Sequence, residues 1–232
     1  GVTRDQIREL TNKFMDLGAG KESIGFSNSR MAYDEVISKF CYTIETGTLK
    51  KKITSNDISN QYRQAIPFSD RCILVADKTL EKFMECVRGW EDYRLVFNKA
   101  TLFSWFVYIC KNLTLDNHKM KRIITGFEFS RAYVKGKYKK VDEQYINQFA
   151  RLQKNVPFFE LMLNTFNQRS SMGSTDALSI IYRDIIIAIF REMLLEDETS
   201  LLIFAQNLFR EKESLNDTLE EIVEKYNWGD VL

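Results

Sequence analysis

Apolar residues recur at helical spacing along most of this chain. Ile7, Leu10, Phe14 and Leu17 fall on one face of a helix predicted over 3–17, and Gly18-Ala19-Gly20 ends it. A polar loop leads to a second helix over 30–46 with the stripe Tyr33, Val36, Ile37, Phe40, Cys41 and Ile44, stopped by Gly47. Ser55-Asn56-Asp57 can cap a short helix that runs out before Pro67. Ser69 or Asp70 starts a long helix through Leu80, Phe83, Met84 and Val87 to Gly89.

The run from about 99 to 113 is apolar almost all round, carrying Leu102, Phe103, Trp105, Phe106, Val107, Tyr108 and Ile109. Its aromatic content also suits a strand over 103–109, but length and neighbours favour a helix in the centre of the fold. A helix from Asp116 towards Lys135 tolerates Gly126 at a cost of about 1 kcal/mol, and Gly136 breaks it. A helix from Val141 stops near Pro157, with a shorter segment to Phe166. Ser174 to Asp176 can cap a long apolar helix to about Leu195, and two more helices close the chain. The predicted fold is all-α, an irregular multi-helix domain of about nine to eleven helices around a buried aromatic-rich central helix. No repeat or composition break calls for a second domain, so 1–232 reads as one unit. A start at Gly1 rather than Met suggests a fragment of a longer protein.

Composition narrows the chemistry. The 232 residues hold one histidine, two prolines and ten glycines, beside 17 Phe and 10 Tyr. His118 lies in Asp116-Asn117-His118-Lys119, a helix start where an exposed polar histidine is the plain expectation. No glycine falls into a dinucleotide or phosphate-loop motif. The cysteines Cys41, Cys72, Cys86 and Cys110 are 31, 14 and 24 residues apart, which fits no zinc spacing and suggests buried free thiols. Glu192 with Glu196, and Glu220 with Glu224, have the spacing to face an ion, but sit among ordinary solvated charges. No catalytic centre is recognisable, no metal or other cofactor is implied, and any activity would reside in a missing domain. No signal peptide or membrane-spanning run is evident, so a cytoplasmic protein without membrane contact is expected.

Charge distribution says more than the net charge of +1. From Lys119 to Lys140 eight basic residues face one acid, Glu128; from Glu192 to Glu224 ten acids face Arg210 and Lys212. Cations on one face would neutralise phosphates, and the interleaved Tyr133 and Tyr138 could hydrogen-bond phosphate or stack on an unpaired base. A solvated Lys-rich surface is the plainer alternative.

One stretch carries a family resemblance. Gly25-Phe26-Ser27-Asn28-Ser29-Arg30-Met31-Ala32-Tyr33-Asp34-Glu35, leading into Val36 to Phe40, resembles a segment of the bacterial GmrSD-type restriction enzymes, in which Arg-Met followed by acids opens an amphipathic helix after a ParB-like catalytic domain. The downstream order is similar too: a long helix (74–90), Val96 to Ala100 before a buried helix, and Ser174-Thr175 before a helix carrying Arg183. The similarity covers about two thirds of the chain. It implies the all-helical part of a phage-defence nuclease or NTPase. The family's Asp-Gly-Gln-Gln-Arg motif has no counterpart, because Asp-Gly occurs nowhere here, and one histidine cannot build an HNH domain. No catalytic residue is carried over.

The leading expectation is therefore a non-catalytic helical module of a DNA-targeting bacterial phage-defence protein, contacting DNA or coupling to a nuclease/NTPase domain of the same or another chain. Lys121, Arg122, Arg131, Lys135, Lys137, Lys139 and Lys140 are the candidate phosphate contacts; Arg30 joins them chiefly through the resemblance. The alternative is a protein-interaction or oligomerisation scaffold, with an apolar patch around Trp90 and Tyr93 or on the last helix with Trp228.

Overall fold

Hydrophobic periodicity of this kind can be satisfied only by burying each stripe against another helix, and a computed structural model of the chain shows how. It describes residues 1–89, 95–136, 156–171, 176–195 and 200–232. These form eleven α-helices: α1 (Val2–Asp16), α2 (Lys21–Ile24), α3 (Ala32–Thr46), α4 (Ser55–Arg63), α5 (Asp70–Val87), α6 (Lys99–Cys110), α7 (Asn117–Val134), α8 (Val156–Ser171), α9 (Ala177–Leu194), α10 (Ser200–Lys212) and α11 (Leu215–Tyr226). The described residues contain no strand, and the fold is all-α.

The helix over 99–110 sits where its all-round apolar sequence demands. Ten consecutive residues of α6, Ala100 to Ile109, are buried, and α3, α5, α8 and α9 all pack on it. Phe106 touches Phe14, Phe40 and Phe83 from three different helices, while Trp105 meets Phe127 of α7 edge-on. One cluster of buried apolar side chains runs from Ile7 to Ile222.

Caps fix where the helices begin. Asn98 accepts the Thr101 N–H at 2.9 Å and donates to the Ser170 carbonyl at 3.1 Å, so one side chain both starts α6 and ties it to the end of α8. Asn98→Ala should cost about 1–2 kcal/mol in chemical denaturation; an unchanged midpoint would show the cap to be dispensable.

Two local expectations are corrected. The short helix near 55 has Thr54 rather than Ser55 or Asn56 at its cap position, and the Thr54 hydroxyl and the Asp57 carboxylate form a reciprocal box. The polar loop expected after Gly20 contains the four-residue α2. Pro157 lies in the first turn of α8, where its missing N–H leaves no intrahelical bond unmade, and the segment expected to follow it to Phe166 is this helix, which runs on to Ser171. The helix expected from Val141 lies almost wholly outside the described residues.

The C-terminal tail is fastened to the loop after α3. Leu49 donates its backbone N–H to the Gly229 carbonyl at 2.8 Å, and Leu232 donates to the Gly47 carbonyl at 2.9 Å. Gly229 has φ +89°, and a Cβ there would meet Ile181 at 3.0 Å, so this position demands glycine. The fastening holds the neighbouring Trp228 against the helical core.

Candidate functional site

The basic run resolves into residues with different fates. Asp116 accepts the Lys119 N–H at 2.8 Å and starts α7, leaving His118 exposed on the first turn, as its polar context suggests. Met120, Ile123, Ile124 and Phe127 turn inward. Lys121 and Arg122 are half-buried at the near end of the helix, and Lys135 is exposed at the far end. Lys137, Lys139, Lys140 and Tyr138 lie outside the described residues.

Arg131 does not belong with them. It is 8% exposed and sits among internal partners: both nitrogens on one edge engage the Glu128 carboxylate, and further bonds reach Asn167 Oδ1 at 3.2 Å and the Val96 carbonyl at 3.1 Å. Its guanidinium lies 5.7 Å from the Phe166 ring centre. A cation so enclosed has no edge left to turn towards a phosphate, and we withdraw it from the candidate contacts. Arg30 is exposed, but far along the chain from α7: it precedes α3, which packs on α1, α5 and α6. There Arg30 and Met31 both take left-handed backbone conformations, φ 54° and 59°. Asn28 stabilises the turn by accepting the Tyr33 N–H at 2.8 Å and donating to Asp34 at 3.0 Å.

Near Lys121, whose ammonium reaches the end of α5, lies a groove of about 540 Å3 between α5 and the start of α7. Lys78, Lys82 and Arg88 of α5 and its end line it, with Asn117 across from them. Lys82 donates to Asn117 Oδ1 at 2.7 Å and to the Leu115 carbonyl. Lys121 donates to the Arg88 carbonyl at 3.2 Å, placing a fourth cation on the rim. The groove's two acids are engaged locally: Glu81 pairs with Lys13 at 2.5 Å and Glu85 with Arg88 at 3.7 Å. The buried Cys86 directs its thiol at the Asn117 carbonyl, and burial pushes that thiol up to about 11, which makes it a poor nucleophile. Lys78 and Lys82 have i,i+4 spacing visible in the sequence, but only the packing of α5 on α7 reveals that Lys82 meets Asn117 and that the end of α5 meets Lys121.

Two cations are buried without a role at the surface. Arg183 is fully buried on α9, donating from Nε to Ser104 Oγ and from Nη1 to the Arg169 carbonyl, both at 2.8 Å, while Nη2 has no partner. Lys39 is 6% exposed and lies over the Phe103 ring. Burial, aided by the nearby Arg183 charge and opposed by Glu35, brings the Lys39 pKa down from 10.5 to about 8. The unfolded chain keeps this proton to a higher pH than the folded protein does. The charge therefore opposes folding fully below pH 8, and the penalty fades as pH rises towards 10.5. Lys39→Met should stabilise the protein at pH 7 by on the order of 1–3 kcal/mol. Most of that gain should vanish near pH 10.5; an equal gain at both values would contradict the titration.

The other residues singled out by the sequence have separate fates. Among the described residues no three His, Cys, Asp or Glu side chains gather to hold a metal ion. Glu192 accepts the Leu202 N–H at 2.8 Å, Glu196 lies outside the described residues, and Glu220 and Glu224 are exposed on α11. All four cysteines are free thiols, three of them buried. Trp90 and Tyr93 lie outside the described residues. Trp228 is no free apolar patch: it packs on the core and donates its indole N–H to Asp184 at 2.8 Å. No helix among the described residues is long and apolar enough to cross a membrane. The chain matches no protein-family model, no curated protein and no solved structure.

Proposed function

We propose that the chain is a non-catalytic helical module of a DNA-targeting bacterial phage-defence protein, gripping the phosphate backbone across the α5–α7 groove. The observation that carries this reading is the lining of one groove by Lys78, Lys82 and Arg88, with Lys121 bonded to the Arg88 carbonyl beside it and with the groove's two acids each paired to a cation. Arg122 and Lys135 extend the contact along α7, and the helices hold the cations in fixed positions. The resemblance of the 25–40 segment and its downstream order to GmrSD-type restriction enzymes supplies the biological setting, in which a nuclease or NTPase domain elsewhere does the chemistry. Lys137, Lys139 and Lys140 extend the same chain segment, and Arg30 is a separate contact in this reading.

Cations of this kind read charge and not base sequence. Fluorescence anisotropy with labelled duplexes of unrelated sequence should give the same low-salt affinity for each. Lys82→Gln/Lys121→Gln should weaken all of them alike. No binding at low salt, or equal binding by the variant, would rule the groove out.

A further inference from the structure

The basic groove has an apolar neighbour. A pocket of about 240 Å3 opens where the residues after α1, the short helix α2 and the end of α5 meet the segment entering α6. Met84, Val87 and Leu95 form its buried inner wall, and Gly18, Glu22, Arg88 and Gly89 are exposed around it. The two glycines put no side chain in the way of a ligand. Leu17 and Arg88 line this pocket and the α5–α7 groove alike. They are bonded to each other, with Arg88 Nη2 donating to the Leu17 carbonyl at 3.1 Å. One ridge therefore divides a cation-lined groove from an apolar hole, and a ligand that crosses it touches both.

Size and lining say what fits the hole. Pockets for drug-sized ligands usually measure about 300–1,000 Å3, so this smaller one suits a single flat ring system and not a whole nucleotide. Leu17, Met84, Val87 and Leu95 supply apolar contact for a ring face, and the Met84 thioether is a polarisable group that packs well against aromatic rings. Arg88 and Glu22 add a donor and an acceptor, which match the polar edge of a heterocycle; an acyl chain has no such edge. A guanidinium is also a surface on which bases stack.

A nucleotide joins these two chemistries covalently, phosphate on one side and ring on the other. Resting on the reading of the groove as a phosphate track, we infer that the pocket takes one unstacked base of the bound DNA, with Arg88 between that base and its backbone. Turning a base out of a duplex costs least where it is already unpaired. Bulged, mismatched and single-stranded sites are therefore held in preference to perfect duplex, which still binds through its phosphates.

Fluorescence anisotropy on the full chain tests this with two labelled duplexes, one carrying a single bulged adenine and the other an abasic residue at the same bulge. The adenine probe should bind about tenfold more tightly, from the apolar surface that its base buries. That ratio should hold across a salt series, because the base adds no phosphate contact. Val87→Phe puts a ring into the pocket from its inner wall. In protein that keeps its helical circular dichroism it should bring the ratio to one, with the abasic probe bound as by wild type. Equal affinity of wild type for the two probes, both weakening with salt, would overturn the base pocket and leave the groove reading standing. So would an unchanged ratio in folded Val87→Phe. Binding of neither probe at low salt would remove the groove reading and the pocket with it.

Discussion

Arg131→Ala will destabilise this protein by about 3–5 kcal/mol in urea unfolding, the usual cost of removing one partner from a buried ion pair. The side chain is 8% exposed and Glu128 is 4% exposed. Truncation strands the Glu128 carboxylate and also releases Asn167 Oδ1 and the Val96 carbonyl, which join α7 to α8 and to the segment entering α6. Removing both charges, as Glu128→Leu/Arg131→Met, should recover most of the loss, because the remaining cost is packing and not an orphan charge. A single-variant loss below about 1 kcal/mol would place Arg131 in the solvent-exposed class, and would restore it to the candidate DNA contacts.

The second large effect belongs to the middle of the core. Phe106→Ala should cost about 3–5 kcal/mol, by lost transfer energy and the cavity left behind. The Phe106 ring is fully buried, with centroids 5.7, 5.5 and 5.4 Å from those of Phe14, Phe40 and Phe83. The neighbours come from α1, α3 and α5, so collapse of one into the void would pull a whole helix with it. Phe106→Leu keeps most of the volume and should cost markedly less. Equal midpoints for wild type and Phe106→Ala would mean that the four rings do not form the packed centre of the fold.

Both results rest on features that are unequally legible in the sequence. The all-round apolar run of α6 announces a central helix, because no other position in an all-α fold leaves a helix without a solvated face. Asp116 and Ser69 mark helix starts by residue type, and the structure uses both as caps. Thr54 escapes detection because Ser55, Asn56 and Asp57 beside it are all good capping residues, and only the chain path selects among the four.

The basic cluster is overcounted in the sequence for a definite reason. A local tally treats every cation as solvated, yet Glu128 precedes Arg131 by three residues and so shares its helix face. A lone acid at that spacing within a basic run marks a pair. Arg183 and Asp184 sit between Ile180-Ile181-Tyr182 and Ile185-Ile186-Ile187, and charges inside such a run signal burial with specific partners. Neither the meeting of Lys82 with Asn117 across the groove nor that of Tyr108, Arg191 and Trp228 has a local signal. These contacts join residues up to 120 positions apart, and tertiary packing alone creates them.

The most direct test of the groove reading is the salt dependence of DNA affinity. Binding of the wild-type chain to one labelled duplex should be followed over a salt series, in parallel with Lys78→Gln/Lys82→Gln/Lys121→Gln and with Arg131→Gln. Each phosphate contact contributes about 0.9 to the slope of log affinity against log salt. The account predicts a triple-variant slope shallower by about two to three. Arg131→Gln should leave the slope as it is, in whatever fraction stays folded. A slope that Arg131→Gln lowers and the triple variant does not would contradict the account.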